Sequence, residues 1–148
     1  MERYLILDHP ADGKFRAFGT TLEEAFSNAA LAMASLMYDW ARVGRRVEQA
    51  AAVEARNLEQ LLNKFLTEIL YLLDAKKFVL GGVEDLRIES PGEKSPAGES
   101  SFRLTARFVG DADPAVYEFH GDVKAVTYNE MKIEQGCCGW TVQVVVDM

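Results

Sequence analysis

The chain of 148 residues carries a formal net charge of −7, with 49% hydrophobic and 26% charged residues. This length suits one domain with a single core, and these proportions exclude disorder for most of the chain. The acidic balance argues against direct binding to the phosphate backbone of a nucleic acid and favours a partner with a basic surface.

The N-terminal sequence reaches the acid Asp8 before an apolar signal-peptide segment could form. No apolar run approaches the ~20 residues needed to span a bilayer. We therefore expect a cytoplasmic protein without a membrane segment, with one domain over residues 1–148.

Alternation of charged and apolar residues predicts two strands, over 3–8 and 14–18, joined by a polar loop. A helix is predicted next, because apolar residues recur at intervals of three and four. It begins at the capping-box spacing of Thr21 and Glu24 and ends near Tyr38.

A strand is predicted over 45–55, although its alanines blur the period. Asn57 and Gln60 repeat the capping-box spacing and start a second amphipathic helix that runs to Leu73. The apolar stripe of this helix is Leu58, Leu61, Leu62, Phe65, Leu66, Ile69, Leu70 and Leu73.

After Lys77 the hydrophobic period is close to two, which is typical of strands. A segment rich in Pro, Gly and charge interrupts this region and predicts a mobile hairpin loop at about 90–101. The predicted strands are 78–80, 83–89, 102–109, 116–120, 123–134 and 140–147.

Two helices that are apolar on one side must bury that side, and an antiparallel sheet offers one apolar face to both of them. We therefore predict an α+β fold, with two helices packed on one face of a mostly antiparallel or mixed β-sheet. The other sheet face stays partly free, and it needs a partner unless it is polar.

Two carboxylates at opposite ends of the sequence form a candidate metal site. Asp12 and Asp147 could meet because terminal strands often neighbour each other in one sheet. With a backbone carbonyl and the terminal carboxylate of Met148, they would supply the oxygen ligands that Ca²⁺, Mg²⁺ or Mn²⁺ prefer. The alternative is that Asp12 forms a turn before Gly13 and Asp147 is solvated.

Two further polar residues could support this site. His9 lies in the loop before Asp12, and the alternative to a supporting role is an ordinary loop histidine bonded to the backbone. Lys124 shares a strand face with Val126 and Tyr128, so it either extends to the sheet rim or pairs with a carboxylate.

The two cysteines of the chain, Cys137 and Cys138, are adjacent. Neighbouring residues suit an ordinary disulfide poorly, and no spaced Cys or His set surrounds them to bind zinc. We interpret them as a pair of thiols near a hairpin, with redox chemistry as the alternative.

The sequence contains no nucleophile elbow, no phosphate-binding loop, no His-Glu-x-x-His and no Cys-x-x-Cys motif. Such a chain has few groups for independent catalysis. We therefore expect an accessory protein and no enzyme.

Four motifs, in order and spacing, resemble the archease family over essentially the whole chain. The first joins the loop 9–13 to the run 18–33, and the second lies in 61–71. The third is Asp-Val-Lys-Ala-Val-Thr-Tyr at 122–128, and the fourth is Val-Val-Val-Asp at 144–147.

This resemblance implies a small α+β protein that activates the GTP-dependent RNA ligase of tRNA splicing and RNA repair. That enzyme joins 3′-phosphate and 5′-hydroxyl ends. The activator would promote ligase guanylylation and multiple turnover, and it would meet RNA only indirectly, through the ligase.

The resemblance also implies a divalent-cation site, with calcium first and magnesium or manganese as alternatives. Carried over to this sequence, the ligands are Asp12, Asp147 and Met148, the last through main-chain or terminal oxygen. Lys124 resembles a lysine placed near the acidic pair.

This sequence departs from the family pattern at two positions. Pro10 stands where a threonine is usual, which stiffens the loop and removes a hydroxyl. Asn129 stands where a histidine is frequent.

Two other functions compete with ligase activation. The first is a general chaperone or modulator of nucleic-acid-modifying proteins that acts through an exposed sheet face. The second is an independent metal-dependent hydrolase, because two carboxylates with a cation can activate water.

Overall fold

The computed structural model describes residues 2–7, 12–91 and 101–148. These residues contain two α-helices and eight β-strands, which confirms the predicted α+β class. Three strands precede the second helix and five follow it. The elements in chain order are β1 (Tyr4–Leu7), β2 (Asp12–Gly19), α1 (Leu22–Ser35), β3 (Val47–Ala55), α2 (Leu58–Lys76), β4 (Val79–Glu89), β5 (Phe102–Asp111), β6 (Ala125–Val126), β7 (Lys132–Gly136) and β8 (Gly139–Asp147).

The strands form two antiparallel sheets, where the sequence predicted one. The larger sheet has the order β1-β2-β8-β6, with β7 also paired to β8, and the smaller has the order β3-β5-β4. Helix α1 packs mainly on β2 and β4, and α2 packs mainly on β3. The two helices therefore share a core with the inner faces of both sheets.

Both helices begin as the capping boxes predict. The Thr21 hydroxyl accepts a hydrogen bond from the main-chain N–H of Glu24, at 3.1 Å. At the start of α2, Asn57 Oδ1 accepts from the N–H of Gln60, at 2.8 Å. These bonds satisfy main-chain donors that have no partner within the first helical turn.

The predicted apolar stripes of the helices lie in the core. Phe65 of α2 is fully buried between Phe26 of α1 and Phe108 of β5, with ring centroids 6.1 Å and 5.7 Å away. Three residues at the margins of the second stripe are only half-buried: Leu58, Leu70 and Leu73. The aromatic cluster thus joins both helices to the smaller sheet.

The predicted strand 116–120 is wrong. Pro114–Val116 forms a short 3-10 turn, which Asp113 caps by accepting from the N–H of Ala115. Proline favours this turn because its ring fixes φ and it donates no main-chain hydrogen bond to a sheet. Downstream, Phe119 forms only an isolated bridge to Tyr38.

The predicted strand 123–134 is divided into β6 and β7. Glu130 lies between them with φ of +53°, and the N–H of Met131 donates to the carbonyl of Tyr128. A turn there interrupts the apolar alternation that favoured one long strand. The two strands predicted over 78–80 and 83–89 are instead the single strand β4, which contains irregular register at two points.

Residues 92–100 lie outside the described part of the chain, so the loop predicted at about 90–101 stays a prediction. Within the described residues, neither helix combines the length and the apolar character that crossing a membrane requires.

Candidate functional site

Asp12 and Asp147 are direct cross-strand partners. Strands β2 and β8 are antiparallel neighbours inside the larger sheet, and their register places Asp12 opposite Asp147 at the strand ends. Side chains at directly opposite positions lie on the same sheet face. Since the next pair, Gly13 and Val146, is buried towards the helices, both carboxylates belong to the outer face.

The end of β8 is held from its other side by β6. The N–H of Lys124 donates to the carbonyl oxygen of Asp147 at 2.7 Å, and Ala125 is the register partner of Asp147. Two residues before Asp147 along β8, the carbonyl of Val145 accepts hydrogen bonds from both the N–H and the hydroxyl of Thr127. Asp147 therefore sits on a strand that is hydrogen-bonded on both edges.

Met148 is anchored through its side chain. A methyl group placed on Gly13 would lie 2.9 Å from Met148 Sδ, and one placed on Gly121 would lie 3.2 Å from Met148 Cε. The thioether therefore occupies space that two glycines leave open. Because Met148 follows Asp147 directly, its main chain continues from the residue that lies opposite Asp12.

Gly13 and Gly121 leave room for the Met148 side chain, and the sequence did not predict this role for either of them. The available signal was Gly13 itself, because a glycine inside an alternating strand marks a close approach by another group. At Gly121 a methyl group would also collide with the carbonyl oxygen of Leu36. Both positions thus favour glycine for steric reasons.

The centre of the outer face, next to the acidic pair, is polar. Lys14 Nζ lies 3.5 Å from Glu130 Oε1, and Arg16 Nε donates to Gln143 Oε1 at 2.9 Å. Gln143 is only 3% exposed and also donates to the carbonyl of Glu130, at 2.8 Å. Charged and hydrogen-bonded side chains therefore cover the centre of this face, and Leu5, Leu7 and Phe18 add apolar surface beside them.

Lys124 reaches Asp147 through its main chain, as described above. Its side chain is exposed and lines a groove of about 820 Å³ against α2, together with Tyr71, Asp74 and Lys77. None of the ion pairs among the described residues includes Lys124. A supporting role for its side chain stays a prediction, and His9 lies outside the described residues.

The donor set fits a hard divalent cation. Asp12, Asp147 and the terminal carboxylate of Met148 offer oxygen ligands, which Ca²⁺, Mg²⁺ and Mn²⁺ prefer. Like charges directly opposite each other in a sheet are destabilising, and a bound cation would offset that repulsion.

Residues 2–7, 12–91 and 101–148 contain no group of three or more Asp, Glu, His or Cys side chains suited to a metal. A cation at the Asp12–Asp147 pair would thus need main-chain, terminal or water oxygens as well.

Asp111 is an acidic residue outside the Asp12–Asp147 pair, and its role is structural. Its carboxylate is buried and accepts hydrogen bonds from the Tyr117 hydroxyl at 2.6 Å and from the N–H of Ala112 at 2.7 Å. The bond from Tyr117 is the main cause that holds the pKa of Asp111 below its usual value. Tyr117 in turn accepts from the N–H of Gly44, so the three residues tie β5 to the segment before β3.

Comparisons with known proteins identify a family and a solved structure that this chain is similar to. Residues 4–148 match the model of the Archease protein family. The chain is 37% identical over 150 residues to the protein archease of Methanosarcina mazei, covering 99% of this chain and 97% of that protein. It is 40% identical over 147 residues to the protein archease of Pyrobaculum neutrophilum, covering 95% and 92%.

A solved structure has the same fold. The solution structure of Methanobacterium thermoautotrophicum protein 1598 superposes with a TM-score of 0.81 at 27% identity and covers 100% of both chains. The two sheets and two helices described above are therefore an arrangement that a similar protein adopts in solution.

Proposed function

The chain belongs to the Archease protein family, and from this premise we propose that it is an accessory protein of RNA processing in the cytoplasm. Its partner is the GTP-dependent RNA ligase that joins 3′-phosphate and 5′-hydroxyl ends in tRNA splicing and RNA repair. The protein promotes guanylylation of the ligase and allows it to turn over repeatedly.

The observation that carries this proposal is the cross-strand pair Asp12 and Asp147 beside the C-terminal residue Met148. These residues would hold a divalent cation, with calcium first and magnesium or manganese as alternatives. When bound, the cation supplies positive charge that organises and neutralises phosphate oxygens during nucleotidyl transfer.

The chain's own residues position that site. The two carboxylates hold negative charge at the end of two neighbouring strands, and the N–H of Lys124 fixes the backbone at Asp147. Met148, whose thioether packs against Gly13, follows Asp147 directly and would add a main-chain or terminal oxygen. The site is thus presented on the outer sheet face, where a partner protein can reach it.

Charge supports docking on a nucleic-acid enzyme. A protein of net charge −7 is attracted to a basic, RNA-binding cleft and repelled by free RNA. RNA therefore meets this protein through the ligase.

The test is joining of 3′-phosphate and 5′-hydroxyl RNA by the ligase with GTP, under multiple turnover, with and without this protein. Asp12→Ala should abolish the stimulation and leave the fold intact, because Asp12 lies on the outer face at a strand end. Asp147→Ala should act alike. The double variant should be no worse than either single one, because residues that act as one unit are not additive.

Glu134→Ala is the matched control. Glu134 is an exposed carboxylate on β7, and it pairs with Thr141 at the other end of β8. The Glu134→Ala protein should stimulate RNA joining as strongly as the parent does. Guanylylation of the ligase, followed with labelled GTP, should show the same ranking of variants.

If folded Asp12→Ala stimulates joining as well as the parent, the acidic pair is not the working part. A general chaperone role through the exposed sheet face would then be the better explanation. The charged centre of that face weighs against it, because surfaces that bind unfolded chains are apolar, whereas Leu5, Leu7 and Phe18 are the apolar residues such a role would use. Turnover of RNA or nucleotide by the isolated protein would favour a hydrolase.

A further inference from the structure

The turn between β7 and β8 carries two thiols. Gly136 and Gly139 form the last register pair of this hairpin, so Cys137 and Cys138 are its two loop residues. Both side chains are exposed, and their sulfur atoms lie 3.0 Å apart. The hairpin thus presents a vicinal dithiol at its tip.

A direct bond between these sulfurs would be strained. Adjacent Cα atoms are about 3.8 Å apart across a trans peptide, whereas ordinary disulfides join Cα atoms roughly 4.4–6.8 Å apart. A disulfide here would close a small ring through the peptide that joins the two cysteines. An atom bonded to both sulfurs enlarges that ring by one member and relieves the strain. The geometry therefore favours a bridging ligand over a disulfide.

We propose that Cys137 and Cys138 form a binding site for trivalent arsenicals, in which one arsenic atom is bonded to both sulfurs. Bond angles at pyramidal trivalent arsenic are close to a right angle, so it holds two sulfurs near each other. A linear two-coordinate soft ion such as copper(I) would require the sulfurs to lie on opposite sides of the metal. The close approach of the two thiols therefore favours a pyramidal trivalent centre such as arsenic over a linear ion.

The step balances without an oxidant. With an organic arsenic(III) oxide, the arsenic–oxygen double bond and the two S–H bonds break, and two arsenic–sulfur bonds form. The two thiol protons leave with the oxygen as one water molecule. Arsenic stays trivalent and the sulfurs stay at the thiol oxidation level.

A hollow beside the thiols suits an organic substituent on the arsenic. It is an open hollow of about 460 Å³, in which Cys137, Cys138, Phe18 and Trp140 are joined by three glycines and by the polar residues Glu2 and Thr141. Its aromatic walls favour burial of an apolar group. An aryl or alkyl arsenical should therefore bind more tightly than inorganic arsenite.

The first experiment titrates the full chain with phenylarsine oxide and follows it by intact mass. The parent should bind one equivalent, and the adduct should survive excess monothiol but dissociate in 2,3-dimercaptopropanol. Cys137→Ser and Cys138→Ser each leave one thiol and should lower the affinity at least 100-fold. Either single variant binding as the parent does, or removal by monothiol, would overturn the chelate.

The second experiment tests the hollow. The chain has two tryptophans, and only Trp140 lines the hollow. Binding should change the fluorescence of the parent and leave that of Trp140→Phe unchanged. Phe18→Ala should weaken binding of phenylarsine oxide and leave binding of arsenite unaltered. An unchanged ratio of the two affinities in Phe18→Ala would show that the hollow takes no part.

Discussion

Calcium-dependent stability tests the acidic pair without the ligase. Asp12→Asn removes one carboxylate and keeps the size and one acceptor oxygen of the side chain. Asp12 is half-buried on the outer face at the end of β2, whereas its neighbour Gly13 faces the core. The substitution should therefore leave the fold intact and remove one cation ligand.

The size of the effect follows from linkage. A ligand that binds only the folded state stabilises it by about 2.7 kcal/mol when its concentration is 100 times the dissociation constant. For a domain of this size, 1 kcal/mol corresponds to about 4 °C in Tm. Saturating calcium should therefore raise the Tm of the parent by about 10 °C relative to a chelator.

The assay is thermal unfolding followed by circular dichroism in EDTA and in excess calcium. The parent should show the full shift, and Asp12→Asn should lose most of it, because a neutral amide binds a divalent cation far less strongly than a carboxylate does. Glu134→Gln is the charge-matched control. Thr141, its register partner, is six residues from Asp147 along β8, or about 20 Å in an extended strand.

Two results would refute this reasoning. A parent protein whose Tm is the same in EDTA and in calcium, magnesium and manganese has no cation site of useful affinity. An Asp12→Asn variant that keeps the full shift shows that the cation binds elsewhere. If only one of the three ions raises the Tm of the parent, that ion is the one that the site binds.

Two further predictions concern the scaffold. Phe65→Ala should lower the free energy of unfolding by roughly 3–5 kcal/mol, because it empties the space between Phe26 and Phe108; a chemical-denaturation midpoint equal to that of the parent would contradict this burial. Because the pKa of Asp111 is lowered in the folded state, its carboxylate stabilises the fold above its usual pKa of 3.8, and this contribution is lost as pH falls through the lower, folded value. Tyr117→Phe removes the main cause of the shift, so an NMR titration should find the Asp111 pKa closer to 3.8, and an unchanged pKa would disprove the role of that hydroxyl.

The helices were predictable because their signals are local. The caps at Thr21 and Asn57 and the stripe around Phe65 depend on residues three or four positions apart, and the structure confirms them. The division of the strands into two sheets was not predictable, because alternation shows which side of a strand is buried but not which strand it pairs with. Local turn geometry explains the error at 116–120, where Pro114 starts a 3-10 turn.

The candidate site was only partly accessible from the sequence. The pairing of Asp12 with Asp147 followed from the expectation that terminal strands neighbour each other, and the register agrees with it. The contribution of Lys124 through its main chain was not foreseen, because residue type reports on side chains alone. The packing of Met148 over Gly13 joins residues from opposite ends of the chain, and no short-range pattern records it.

The register that joins Asp12 to Asp147 is set by the core. Along β8, Val142, Val144 and Val146 are buried among the core residues, and a slip of one residue would turn them to the outer face. The same slip would turn Asp147 towards the helices, away from Asp12. The free energy that buries the valines therefore also holds the two carboxylates opposite each other against their repulsion.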